Sequence, residues 1–427
     1  MQTSTEAIYP IAFRNKDLLY LASRLKQRDS VGLVGMKRVG ISNFLRFFLY
    51  HEEVKKKYLG DGEKHLLIPV DLNDLVERDV YPFWILLLKR IVDRAFTTDL
   101  SDGVKKEIRK LFTESIQLKD HFYTVDSVQK ALGILVKADV LPTIFLLRFD
   151  RLNHVITPEF YGNLQRLKDA SQQKLSFVFT SFRPLYELAP QVITKASLSV
   201  FAHTMYLQPG EAQDMETILV TFIKQYGLKL SAELKKWLID WSGGHVQYLQ
   251  LMAIKLRELK HIPADKNELY EVFLGSEDIA LMSEELYASL SETEQKALIK
   301  IINQTGVDSE LKSQAQYLWN SGILYDNNHI FSPLFGEYIR KLSHEKTNGH
   351  DFTRKEHTLL TFLESKVGEL CERDEIIAAV WPDQAEAGVS DWAIDRLVSR
   401  VRAKLKKQNS QFEIVTVITR GYKLVRK

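Results

Sequence analysis

The chain has 427 residues, 45% hydrophobic and 26% charged, an ordinary globular composition too long for one core, so two to four domains are expected. A single cysteine, Cys371, excludes a disulfide framework within the chain and fits a reducing compartment. The formal charge is +3, yet Arg396 to Lys427 carries ten Lys/Arg against Glu413 alone; that is +9, and the remainder sums to 3 − 9 = −6. Positive charge gathered at one end is the footprint of a module that meets nucleic acid.

In chain order, residues 16–28 read as an amphipathic helix with Leu18, Leu19, Leu21, Ala22 and Leu25 on one stripe. Ser30–Val34 reads as a short buried strand, followed by the loop GMKRVG and a helix, ISNFLRFFLYH, whose Phe/Leu stripe is core packing. Further apolar strands are expected at Leu66–Val70, Pro142–Leu147 and Leu175–Thr180, with helices around 80–98, 101–118, 125–138 and 158–170. Short apolar strands alternating with helices predict an α/β domain with a parallel sheet, from about 8 to 206. After Gly210 the pattern turns helical over 211–275, broken at Gly243–Gly244, and 280–342 adds helices and a hairpin near Tyr325–Asn328. The polar run SHEKTNGH (Ser343–His350) reads as a linker. A closing unit fills 351–427.

No run approaches 18 uninterrupted apolar residues, so no membrane span is expected. The N-terminal MQTSTEAIYPIAF lacks a charged region before an apolar stretch, so no signal peptide is read and a cytoplasmic location is expected. No Cys/His cluster has zinc spacing, and His65, His203 and His357 have no partner at ligand or triad spacing; no metal is expected.

Residues 390–405, SDWAIDRLVSRVRAKL, predict a helix with Ile394, Leu397, Val398, Val401 and Leu405 as its buried stripe and Ser390 or Asp391 as its cap. The other face presents Arg396, Arg400, Lys404 and Lys407, with Ser399 and Arg402 beside them. A helix fits the major groove, and arginine both clamps phosphate and reads guanine. Trp392 on the same helix is read as core, with intercalation between bases as the lesser alternative. Glu413–Thr419 and Tyr422–Val425 read as strands joined through Arg420–Gly421, which puts a cation on a hairpin tip. This stretch resembles the OmpR/PhoB-type winged helix-turn-helix. Thr353, Glu356, Leu359 and Leu360 match its opening. Val380 and Trp381 match the end of its second helix, Val398 to Leu405 its recognition helix, and Gly421, Tyr422 and Leu424 its closing hairpin. Ile418 and Thr419 depart from the family's Arg-Gly pair. The resemblance implies double-stranded DNA as partner, contacted by Arg396, Ser399, Arg400, Arg402, Lys404, Lys407 and Arg420. It also implies an Asp383–Gly388 loop placed to touch RNA polymerase, and a dimer or repeated sites for useful affinity. The receiver domain usual in that family has no counterpart here.

GMKRVGIS (Gly35–Ser42) sits between a strand and a helix, where a phosphate-binding loop of pattern G-x-x-x-x-G-K-[ST] would sit. Gly35, Gly40 and Ser42 are in place, but the lysine position is Ile41; Lys37 and Arg38 are the loop's cations. The surroundings resemble AAA-like ATPases of the STAND type. FRNKDLL (Phe13–Leu19) is similar to their entry motif and PTIFLLRFDRL (Pro142–Leu152) to their Walker B strand, with Arg148 at the magnesium carboxylate and Asp150 at a later Asp. Leu175–Leu188 is similar to their sensor strand, Trp241–Met252 to a Gly-Gly helix start with Val246 for proline, and Ser321–Ile339 to a winged-helix hairpin. Ser181 and Arg183 could face a phosphate, and Ser-Phe-Arg-Pro reads at least as well as a strand-end turn.

The resemblances imply a multidomain α/β plus α architecture. Residues 8–206 form a degenerate P-loop domain, 207–278 a helical lid, 279–342 a middle winged helix, 343–350 a linker and 351–427 a DNA-binding winged helix. Loop cation, metal carboxylate and activating Glu are replaced together, which removes the electrostatics that drive phosphoryl transfer. No catalytic residue is therefore assigned. Gly35–Ser42 is read first as a tight strand-to-helix turn kept with the fold; Gly35, Lys37, Arg38, Gly40 and Ser42 remain the nucleotide-binding candidates, since the backbone cradle survives. The expected function is a DNA-binding transcriptional regulator with an inactive ATPase-like sensor or scaffold that docks a signalling protein. The alternatives are an ATP-binding switch and a protein-interaction adaptor.

Overall fold

The computed structural model describes residues 4–60, 62–195, 201–347, 352, 354–381, 391–417 and 420–427. It divides into two compact units, Met1–Glu294 with Ser309–Leu334, and Gln295–Asp308 with Phe335–Lys427.

The first unit is built on five parallel strands, β1 (Ser30–Val34), β2 (Lys64–Asp71), β3 (Val140–Leu147), β4 (Ser176–Ser181) and β5 (Ala202–Tyr206), in the order β2-β3-β4-β1-β5. It is the α/β arrangement expected. The central strand β1 is buried along its whole length, in register with β4 from Val31↔Val178 and with β5 from Ser30↔Ala202. Its SVGLV run is what a strand covered on both faces requires. Helices α1 (Asn15–Lys26), α2 (Ile41–Tyr50), α3 (Glu52–Leu59), α4 (Val80–Phe96), α5 (Asp102–Leu118), α6 (His121–Lys137) and α7 (Pro158–Ala170) accompany the sheet. The helices expected around 80–98, 101–118, 125–138 and 158–170 fall at α4 to α7, and their starts carry side-chain caps at Asp79, Ser101, Asp120 and Thr157.

One large core lies on the α4/α6/α7 side, where Phe83, Trp84, Phe149, Phe160, Phe177 and Phe179 are all fully buried. Their rings meet edge to face, at 4.9 Å for Phe83–Trp84, 5.0 Å for Phe83–Phe160 and 4.9 Å for Phe149–Phe179. Each such pair adds roughly 1 kcal/mol to the burial of its area. The Phe44–Leu49 stripe of α2 is core, as expected.

After the sheet come α8 (Ala212–Tyr226), α9 (Ala232–Ser242), α10 (Val246–Glu258), α11 (Lys266–Leu274) and α12 (Glu277–Ala288). The expected hairpin is a single antiparallel bridge, Leu324↔Ile330, closed by Asn328 N–H to Tyr325 O at 2.8 Å. The helix Pro333–Thr347 includes the first five residues of SHEKTNGH, and the last three lie outside the described residues.

In the second unit, α13 (Arg354–Glu364), α14 (Arg373–Val380) and α15 (Asp391–Lys407) pack with an antiparallel sheet ordered β6-β8-β7. Its strands are β6 (Cys371–Glu372), β7 (Phe412–Val417) and β8 (Gly421–Arg426). The predicted stripe of α15 is the buried one, with Ile394, Leu397, Val398 and Val401 fully covered, each contributing roughly 2 kcal/mol. Leu359 and Leu363 of α13 and Ile414 and Leu424 of the hairpin are buried in the same unit. β6 approaches β8 so closely that a Cβ on Gly421 would lie 2.1 Å from the Cys371 carbonyl oxygen, so only glycine fits there. The second helix ends on Val380 and Trp381, both buried. Thr353, Asp383–Gly388, Ser390, Ile418 and Thr419 lie outside the described residues, as do the side chains of Trp392, Arg396 and Lys407.

Candidate functional site

Two places hold the residues singled out by sequence. The first is the carboxyl end of the parallel sheet. Gly35 to Gly40 join β1 to α2, with Met36 and Val39 buried and Gly35 N–H bonded to Ser181 O at 3.3 Å. Gly40 caps α2 at φ +116°, and a Cβ there would lie 2.7 Å from Val246 Cγ2, so both backbone and space demand glycine. Val246 begins α10. The loop is therefore packed against the start of α10.

Both loop cations are engaged. Arg38 Nε lies 3.1 Å and Lys37 Nζ 3.7 Å from the two oxygens of Glu285 on α12, a carboxylate only 14% exposed. Beside them His245, fully buried, caps α10 by accepting the Tyr248 N–H at its Nδ1. Its Nε2 is 2.9 Å from the Lys37 carbonyl oxygen. One nitrogen accepts and the other faces an acceptor, so the ring is neutral with its proton on Nε2. Burial pulls its pKa down to about 4. Ser42 is exposed and Ile41 partly so.

The positions at the ends of β3 and β4 that the sequence singles out carry internal pairs as well. Arg148, in the left-handed conformation at the end of β3, binds Asp71 at the end of β2, while its N–H donates to Thr180 Oγ1 at 2.7 Å. Asp150 is pushed up by burial, against the pull of its own backbone hydrogen bond and of Lys37. Past β4, Arg183 meets both oxygens of Glu294 at 2.8 and 2.9 Å, with Glu294 only 2% exposed. The guanidinium lies 4.0 Å over the Tyr317 ring, whose hydroxyl donates to Phe182 O at 2.7 Å. Burial alone would lower the Arg183 pKa; the Glu294 bonds and charge more than reverse this and hold it above its usual value. Ser181 donates to the Arg183 carbonyl, so Ser-Phe-Arg-Pro is the strand-end turn expected. Glu285, Glu294, Asp71 and His245 were not singled out by sequence, and no local pattern marks them.

The second place is α15 and the β7–β8 hairpin. The cations of α15 do not form one free face. On one flank Arg400 Nε lies 3.1 Å from Glu356 Oε1, and Lys404 binds the other oxygen of the same carboxylate, which is 1% exposed on α13. On the opposite flank Arg402 donates from Nε to Ile414 O and from Nη2 to Thr416 Oγ1, both at 2.7 Å. It also lies 5.6 Å over the Tyr422 ring. Tyr422 donates to Asp395, which Arg373 meets at 2.7 Å. Between the flanks, opposite the buried stripe, Ser399 and Ala403 are exposed, with Lys406 beside them. Arg420 at the hairpin tip is 62% exposed and 3.4 Å from an equally exposed Glu372. An exposed pair of that kind is worth well under about 1 kcal/mol and leaves the guanidinium available to a phosphate.

Residues 347–424 match the family model described as transcriptional regulatory protein, C terminal. The C-terminal domain is of the OmpR/PhoB type. Its match begins within the helix Pro333–Thr347 and ends on Leu424 in β8, so both flanks of α15 described above lie inside the OmpR/PhoB-type domain. No curated protein matches the chain significantly. Among solved structures the chain is similar to the Walker-type ATPase paby2304 of Pyrococcus abyssi, with 17% identity over 79% of this chain and 97% of that one, at a TM-score of 0.49. It is also similar to the Aeropyrum pernix ORC1 protein in complex with DNA (13%, 97% and 88%, 0.41). A third similarity is to the Thermotoga maritima RuvB Holliday junction branch migration motor (13%, 81% and 97%, 0.36). Among the described residues no helix is long and apolar enough to cross a membrane, and no group of three His, Cys, Asp or Glu converges as a metal site.

Proposed function

We propose that the protein is a DNA-binding transcriptional regulator whose ATPase-like region is a scaffold held together without nucleotide. The observation that carries the reading is the OmpR/PhoB-type domain, with α15 presenting exposed Ser399 and Ala403 between cationic flanks and Arg420 exposed on the hairpin. In this reading α15 enters the major groove, Ser399 faces base edges, and Arg420 touches the backbone beyond it. Arg396 and Lys407 lie on the same helix and join the contact set with Arg402 on one flank, while Arg400 and Lys404 on the other are tied to Glu356. A partner protein supplies the signal, and a dimer or paired sites supply affinity. Along the chain, 8–206 is the P-loop-like domain, 207–278 the lid, 279–342 the middle winged helix and 351–427 the DNA-binding domain.

The residues at the sheet's carboxyl end do not fit a magnesium nucleotide. Ile41 stands at the lysine position, Arg148 at the carboxylate position, and Lys37 and Arg38 already hold Glu285. That supports an inactive ATPase-like scaffold over the nucleotide switch, and no step is routed through ATP. The experiment is binding of the full chain to a labelled DNA duplex across a salt series, beside the chain truncated after Thr347. Affinity falling linearly in log–log form, and lost on truncation, is expected. Binding without salt dependence, or unchanged by truncation, refutes the regulator reading and favours the adaptor.

A further inference from the structure

The flank formed by Glu356 has a consequence for how tightly this domain can hold DNA of any sequence. Glu356 lies on α13 with its side chain 1% exposed, and one carboxylate takes both Arg400 and Lys404 from the neighbouring helix. The two cations are themselves only 24% and 34% exposed. A carboxylate out of water is costly unless it stays paired. Handing Arg400 or Lys404 to a phosphate would leave that buried charge short of a partner, so the pair resists exchange. Both cations of this flank are thus held by the domain's own carboxylate.

We propose that Glu356 is a positioning residue that withholds Arg400 and Lys404 from the phosphates and so limits sequence-independent binding. The inference rests on the DNA-binding reading above. Its logic is electrostatic. Non-specific affinity grows with each phosphate neutralised, whereas base readout does not depend on that number. A helix that ties two of its cations to its own domain keeps its orientation and gives up affinity for random DNA.

The test uses the full chain and a labelled duplex of mixed sequence, with affinity measured against salt. Glu356→Gln keeps the shape and removes the charge. It is expected to raise affinity at low salt and to steepen the log–log slope by about one to two units, since each phosphate contact adds about 0.9. A purely structural role for Glu356 would lower the melting temperature and leave the slope where it was. Arg400→Ala/Lys404→Ala in the otherwise unchanged chain is expected to move the slope by less than about half a unit, and to cancel the gain in the Glu356→Gln background. A folded Glu356→Gln protein with the parent slope overturns the proposal. So does a fall of about two units in the double variant alone, an arm that decides the matter even where Glu356→Gln does not fold. Absence of salt-dependent binding by the parent chain is a different result, and it removes the DNA reading itself.

Discussion

His245 joins the loop after β1 to the helical region through one neutral ring, and acid should undo that joint. The ring accepts from Tyr248 N–H and faces the Lys37 carbonyl at 2.9 Å, and burial lowers its pKa from 6.5 to about 4. Arg38 also disfavours its charged form, while the Lys37 carbonyl and Glu285 favour it less strongly than burial opposes it. The folded-state pKa is depressed, so below pH 6.5 the unfolded chain binds this proton first. The contribution is intact above that pH and is lost as pH falls toward 4. The arithmetic gives a loss of about 2 kcal/mol by pH 5 and about 3 kcal/mol by pH 4. His245→Gln keeps a donor near Lys37 O and cannot titrate. Removing the ring from Tyr248 and Phe331, 5.0 and 5.7 Å away, should cost about 1–2 kcal/mol at pH 7. Urea unfolding followed by tryptophan fluorescence, from pH 7.5 to 4 in both proteins, measures the difference. Asp17, Asp150 and Glu187, all raised by burial, titrate in both and cancel. The gap should narrow and then reverse as pH falls; parallel curves would refute the neutral-ring argument.

Two further outcomes follow from the paired sheet edge. Glu294→Gln takes away the more buried of two carboxylates that Arg183 meets and leaves Glu187 at 2.6 Å, so it should cost about 1–2 kcal/mol in the same unfolding assay, more than a surface pair would. Magnesium–ATP should leave the melting temperature unchanged, because a ligand that does not bind the folded state cannot shift it; a rise that grows with ATP concentration would show the nucleotide switch.

Much of this protein is legible in the chain itself. Strands β1 to β4 announce themselves as apolar runs because they are covered on both faces, and the stripe of α15 is visible because helical spacing places Ile394, Leu397, Val398, Val401 and Leu405 on one side. The edge strand β5, AHTMY, and the two-residue β6 lack such a signature. The first is only partly covered, and the second exists only because β8 passes beside it. The same limit governs the sites. The sequence by itself determined that Gly35–Ser42 lacks the lysine and that α15 is cationic. Only the tertiary structure decided what those cations hold: Arg38 meets Glu285 from 247 residues away, Arg183 meets Glu294 from 111, and Arg400 meets Glu356 from 44. Local periodicity records which face of an element is dry. Which buried carboxylate waits opposite a cation depends on how distant elements pack, and no spacing along the chain encodes it.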